Sequence, residues 1–156
     1  MEWTDVKARV RCAFNALEHQ DLHLLENDAH ERTICARLAD HLRSVFPGYH
    51  VDVEYNRHCM DPKTIEVNPE RDEQFVYPDV IVHHRGNDDS NLLVMELKKS
   101  TNPESRDPDR RKLNHLVEQY GYKFAVLVDL PIGGDLITTP RPWPVCRIHP
   151  SSPRAT

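Results

Sequence analysis

Residues 123–130, KFAVLVDL, carry five apolar side chains in succession from Phe124 to Val128. An unbroken apolar run of strand length reads as a β-strand covered on both faces, because a strand with one wet face would alternate. Leu113, Leu116, Val117 and Tyr120 mark a helix just before it, stopped at Gly121. Ahead of that helix, PDVIVHH (78–84) and NLLVMELKK (91–99) are two short apolar runs around a polar loop, the pattern of a β-hairpin. A hairpin imposes antiparallel pairing, whereas the intervening helix permits a parallel crossover to residues 123–130. The chain is therefore expected to form a mixed sheet with helices packed against it, an α/β fold.

The N-terminal half supplies more helix. Trp3, Val6, Val10, Phe14 and Leu17 recur every three or four residues, one apolar stripe of an amphipathic helix. NDAHERTICARLADHLRSVF (27–46) reads as a second helix, with Asp28 as its cap and Glu31 in capping-box position. Its apolar face is Ile34, Cys35, Leu38, Leu42, Val45 and Phe46, and Pro47-Gly48 ends it. YHVDVEY (49–55) alternates, so Tyr49, Val51, Val53 and Tyr55 are expected inside, with His50, Asp52 and Glu54 in solvent. Residues 56–75 are polar without a period and read as a long connection. At 156 residues the chain is one domain, residues 1–130, followed by an extension, 131–156. The extension holds six of the twelve prolines and is expected to be partly extended or disordered, although VCRI (145–148) has the character of a short edge strand.

No apolar stretch reaches the length of a membrane span and no leader is visible, so a cytoplasmic location without membrane contact is expected. The four cysteines are scattered, without the close spacing of a zinc site, and read as reduced thiols. A net charge of −5 argues against nonspecific capture of nucleic acid by a lysine-coated surface, while leaving room for a local basic groove.

The hairpin carries more charge than folding requires. Asp79, Ile81 and His83 share one face of the first strand; Val94, Glu96 and Lys98 share one face of the second. With the loop centred between Asn87 and Asp88, Asp79 lies opposite Glu96, Ile81 opposite Val94 and His83 opposite Leu92. Directly opposed side chains start roughly 5 Å apart, so the two carboxylates repel unless a cation or proton lies between them. Mg²⁺ resolves that repulsion: it takes one or two carboxylates and keeps other positions for water and phosphate. An ammonium at Lys98 can position a water and offset charge developing on a phosphate.

These residues carry a resemblance. YPDVIV followed by LLVMELKK resembles the signature of the PD-(D/E)XK superfamily, the restriction-endonuclease-like phosphodiesterases. The order of elements over residues 28–130 is similar to the αβββαβ core of that superfamily, with an extra N-terminal helix. The resemblance implies a metal-dependent nuclease using Mg²⁺ or Mn²⁺. Asp79 and Glu96 would be metal ligands and Lys98 would act on the attacking water. Members often add an acidic residue from the first core helix, and Glu31 fits that position. It also implies nucleic acid as substrate, DNA being the favoured form, and a possible homodimer or partner subunit.

Plainer readings stand beside these. Any one of Asp79, Glu96 and Lys98 reads as a solvated strand-end charge, and Glu31 is accounted for by capping. Arg106, Arg110, Arg111 and Lys112 are either phosphate contacts or a solvated loop and helix start, diluted by Glu104, Asp107 and Asp109. Lys99 points away from Lys98, and His83 reads as a packed or exposed histidine. The other functional class is a nuclease-fold module that binds nucleic acid or a protein and cleaves nothing.

Overall fold

Five strands form one mixed sheet in the order β1 (His50–Val53), β6 (Val80–His83), β7 (Leu93–Lys99), β8 (Phe124–Leu130) and β9 (Val145–Ile148). The structure, a computed structural model, describes residues 1–58, 61–65, 74–143 and 145–149. β6 pairs antiparallel with β1 and with β7, β7 pairs parallel with β8, and β9 closes the far edge antiparallel to β8. The parallel step is crossed by helix α4 (Asp107–Tyr120), which carries a proline in its first turn and ends on Gly121 at φ 67°. That left-handed position suits glycine and stops the helix where the sequence places its end.

The remaining helices precede the sheet: α1 (Trp3–Gln20), α2 (Leu22–Glu26) and α3 (Glu31–Val45). Val6, Val10, Ala13, Phe14 and Leu17 of α1, and Ile34, Leu38, Ala39 and Leu42 of α3, are buried in one apolar cluster with Val51, Val80, Val82, Leu93, Met95, Leu97, Phe124, Val126 and Val128. A second cluster joins Leu113, Leu116 and Tyr120 of α4 to Ile81, Val94, Ala125 and Leu127. Alternate residues of β8 thus enter different cores, which explains why its sequence never becomes polar. Each fully buried Val or Leu contributes roughly 1.5–3 kcal/mol, so both faces are well paid in apolar area. The second cluster also fixes which face matters: by alternation from Ile81 and Val94, Asp79, Glu96 and Lys98 lie on the α4 side.

Several local expectations are revised. Helix α3 starts at Glu31, and its cap is His30, whose Nδ1 accepts from the Arg32 N–H at 3.3 Å. Asp28 turns at φ 51° and its carboxylate is 2.8 Å from Lys99 Nζ, so it does not cap, and Glu31 is the first helical residue rather than the third. Strand β1 stops at Val53 because Glu54 turns left-handed, at φ 50°. Asp52 is buried, not exposed, while His50 on the same face of β1 lies in solvent. Residues 56–75 contain two short antiparallel ladders, β2 (Arg57–His58) with β3 (Asp61–Pro62), and β4 (Thr64–Ile65) with β5 (Gln74–Phe75). Residues 59–60 and 66–73 lie outside the described residues.

After Leu130, Ile132, Leu136 and Trp143 are buried in the α1–α3 cluster and Ile148 in the α4 cluster. A short helix, α5 (Asp135–Thr138), lies in this stretch. The C-terminal segment set apart by its prolines is thus, where described, part of the same core; Pro144 and residues 150–156 lie outside the described residues. Among the described residues, no helix is long and apolar enough to cross a membrane.

Candidate functional site

Ile81 pairs with Val94 and Val80 with Met95, the register that places Asp79 across from Glu96 one step further on. Asp79 itself lies just before β6, and its Oδ2 accepts the Leu97 N–H at 2.7 Å, bridging to the other strand of the hairpin. Its carbonyl accepts the Glu54 N–H at 3.3 Å, which ties the end of β1 to the same point. Burial raises the Asp79 carboxyl to about 6; the Leu97 hydrogen bond and Lys112 oppose the rise, and Glu31 and Asp109 add to it.

Glu96 is 4% exposed, in the middle of the five-stranded sheet. Burial pushes its carboxyl up to about 8, with Asp79 adding to the rise and Lys112 opposing it. Lys112 Nζ is 2.8 Å from Glu96 Oε1, close enough for an ion pair. The ammonium hydrogen-bonds the Tyr77 carbonyl at 2.7 Å, and Oε1 is left buried without a hydrogen-bond donor. The contact is therefore electrostatic and imperfectly directed. The Lys112 ammonium is the cation that offsets this buried carboxylate.

Glu31 and Asp79 both line a cavity of about 210 Å³ between the start of α3 and the ends of β1 and β6, together with Cys35, Val53 and Glu54. Among the described residues the Glu31 carboxylate has no hydrogen bond or ion pair, while Glu54 Oε1 is 2.7 Å from Arg32 Nε. Burial pushes the Cys35 thiol up, and Asp79, Glu31, Glu96 and Glu54 all add to that rise. The thiol thus sits in a field set by four carboxylates and is held protonated. Glu54 belongs to this group; its left-handed backbone is the kind of local strain that gathers at functional sites.

Lys98 is placed differently from its expected partners. Its Nζ lies 3.3 Å from Glu104 Oε2 and 3.4 Å from Asp109 Oδ2. Burial works against its charge, yet Asp109 and Glu104 outweigh it and hold the ammonium above the ordinary lysine range. The cation at Glu96 is instead Lys112, which the sequence reading grouped with a basic cluster. Its signal was present: Asp109, Lys112, Leu113, Leu116 and Tyr120 follow helical spacing, so the two charges lie on the buried stripe of α4. The rest of that cluster divides. Arg106 Nε binds Asp129 Oδ1 at 2.8 Å and its other nitrogens hold loop carbonyls. Arg110 and Arg111 are exposed and, among the described residues, have no ion pair.

Whether these residues suit a metal can be tested on their atoms. No group of three or more histidine, cysteine or acidic side chains placed to hold one ion occurs among the described residues. Two carboxylates offer oxygens: Asp79 commits only Oδ2, and Glu96 shares Oε1 with the Lys112 ammonium, leaving Oε2. A pair of carboxylates with water filling the remaining positions is a donor set suited to Mg²⁺ or Mn²⁺.

A second polar cluster was not legible. His83 is buried, with Nε2 2.9 Å from Asp52 Oδ2, and Arg85 Nε donates to the same carboxylate at 2.8 Å. Burial raises Asp52, but Arg85 and His83 outweigh it and hold the carboxyl at about 2. Lys63 is fully buried, its Nζ 3.1 Å from Tyr122 Oη and 5.2 to 5.8 Å from the rings of Tyr55, Tyr122 and Tyr120. Burial lowers its ammonium to about 8. These contacts tie the β2–β5 segment to the sheet.

Comparison with protein-family models, with curated proteins and with solved structures finds no match. Any role for these residues has to come from their own geometry.

Proposed function

We propose that the chain is a metal-dependent phosphodiesterase acting on nucleic acid, built on a PD-(D/E)XK-type core. The observation that carries the reading is the pair of carboxylates facing one another on one hairpin, buried Glu96 beside the Lys112 ammonium and half-buried Asp79 anchored by Leu97. Buried acids with raised pKa values beside specific charge partners are the usual mark of a functional site. Asp79 and Glu96 would hold the cation; Glu31 shares a cavity with Asp79 but not with Glu96. When bound, Mg²⁺ or Mn²⁺ supplies charge that offsets both carboxylates and polarises a phosphoryl oxygen. Lys112 meanwhile opposes the rise that burial imposes on Glu96 and holds the carboxyl from one side. Lys98, held between Glu104 and Asp109, would present its ammonium to the phosphate or the attacking water once substrate draws it from those partners.

Titration calorimetry with Mn²⁺ tests this. Wild type should bind with a single dominant site, and Asp79→Asn and Glu96→Gln should each weaken it at least tenfold. Equal binding by all three proteins would remove the hairpin from any metal role. A second reading, a non-cleaving module of the same fold, is favoured by the two carboxylates that already neutralise Lys98. It predicts strand binding that survives Lys98→Ala and no cutting by any variant.

A further inference from the structure

Lys98 carries two carboxylates that differ in how firmly they are held. Asp109, near the start of α4, has a side chain 17% exposed, and its Oδ2 lies 3.4 Å from Lys98 Nζ. Glu104, in the loop between β7 and α4, has a side chain 73% exposed, and its Oε2 reaches the same nitrogen at 3.3 Å. One carboxylate is enough to neutralise one ammonium, so Glu104 is the surplus charge. The loop nevertheless holds it in place. Asn102 Oδ1 accepts the Glu104 N–H at 2.9 Å, and Arg106 Nη1 donates to the carbonyls of Asn102 at 2.7 Å and Glu104 at 2.6 Å. Arg106 is tied to the sheet in turn, by Nε to Asp129 Oδ1 at 2.8 Å and by Nη2 to the Lys99 carbonyl at 3.2 Å. The backbone beneath Glu104 is thus braced, while its side chain stands in water with Lys98 and the Asn102 amide as partners.

We propose that Glu104 is a built-in competitor for phosphate at Lys98: its carboxylate occupies the solvent side of the ammonium, and an incoming phosphate oxyanion takes its place while Asp109 stays. A carboxylate and a phosphate both accept charge-assisted hydrogen bonds from an ammonium, so one can stand in for the other. An exposed ion pair is worth little because water and salt screen it, whereas stripping a partly buried charge of its partner is costly. Glu104 is therefore the partner that leaves, and Asp109 the one that keeps Lys98 in position. Lys98 shares its face of β7 with Glu96, so a phosphate seated there lies on the side of the candidate metal ligand. The inference rests on the hydrolase reading for what the phosphate belongs to, and adds to that site an autoinhibitory contact.

The probe is inorganic phosphate, titrated into the full chain in chelator so that no metal binds it, with the backbone amide shifts of residues 98–106 followed by NMR. Wild type should bind weakly, with shifts at Lys98 and in the loop. Glu104→Gln should bind about two- to fivefold more tightly, the size of an exposed ion pair removed. Asp107→Asn takes the same charge from the same segment at an exposed residue that does not pair with Lys98, and should leave the affinity at the wild-type level. Lys98→Ala should bind none. The amide spectrum also reports whether each variant is folded. A Glu104→Gln protein no tighter than wild type, equal gains in Glu104→Gln and Asp107→Asn, or binding that survives Lys98→Ala would each overturn the proposal. So would a wild type and a Glu104→Gln protein that both bind no phosphate. Cleavage assays keep the two claims apart. On any substrate that wild type cuts, Glu104→Gln should lower KM and change kcat little, since it removes a competitor of the bound ground state. Cutting with KM unmoved by Glu104→Gln sinks the competitor alone; phosphate binding as described without any cutting sinks the hydrolase alone.

Discussion

Glu96→Gln should stabilise this protein, and by more as pH rises. In the folded chain the Glu96 carboxyl is raised from 4.5 to about 8, chiefly by burial. The folded state then binds a proton more tightly than the unfolded state, so stability is fullest below about pH 4.5 and falls as pH rises towards 8. At about 1.4 kcal/mol per unit, the window corresponds to roughly 5 kcal/mol, shared with Asp79 because each carboxylate raises the other. Asp79, raised from 3.8 to about 6, adds a loss of the same sign at lower pH. This is a large fraction of the ~5–15 kcal/mol that holds a domain together. Urea unfolding at intervals from pH 5 to 9 measures it. Wild type should lose several kcal/mol across the range, and Glu96→Gln should be flatter and more stable at pH 8.5. Mg²⁺ should restore wild type at pH 8.5 and do little for the variant, since a ligand at 100 times its Kd adds about 2.7 kcal/mol. A wild type equally stable at pH 5 and 8.5, or a variant no more stable than wild type at high pH, would refute the electrostatic reasoning.

Two further outcomes follow from the same geometry. Lys112→Met removes the only side-chain cation within ion-pair distance of Glu96 among the described residues, so Glu96 should keep its proton to higher pH, with a loss of stability that is small near neutral pH and grows above pH 8. Combining it with Glu96→Gln should recover most of that loss in a double-mutant cycle followed by urea unfolding; additive losses would show that Lys112 acts through packing. Cys35 should be nearly inert to a thiol reagent at pH 8 in native protein, because it is buried and its thiol is pushed up by four nearby carboxylates, whereas exposed Cys12 and Cys146 should react quickly. Fast modification of Cys35, mapped by peptide mass, would contradict the closed acidic pocket.

How far the sequence speaks can be judged element by element. A hairpin loop centred between Asn87 and Asp88 sets Ile81 opposite Val94, and the two strands do pair in that register. The unbroken run at 124–128 revealed a strand covered on both faces, since burial alone dictates composition there. Asp52 was misread for the converse reason. Its alternating strand looked half-wet, but His83 and Arg85 satisfy the carboxylate inside the fold, and pairing with distant residues leaves no periodic trace. The start of α3 was misplaced because Asp28 has the chemistry of a cap but takes a turn conformation and pairs with Lys99. Lys112 was obscured by its arginine neighbours, since charge clustering in sequence says nothing about which side of a helix each charge occupies. Lys63 gave no sign at all: its three tyrosines come from separate parts of the chain.

The account turns on whether the Asp79–Glu96 hairpin cuts phosphodiester bonds. Purified wild type, Asp79→Ala and Lys98→Ala should be incubated with single- and double-stranded DNA and RNA, with Mg²⁺, with Mn²⁺ and with chelator. The expected result is cleavage of at least one of the four substrates by wild type, abolished by chelator and by either substitution. Cleavage that persists in Asp79→Ala, or a folded wild type that takes up metal and cuts none of the four, would contradict it.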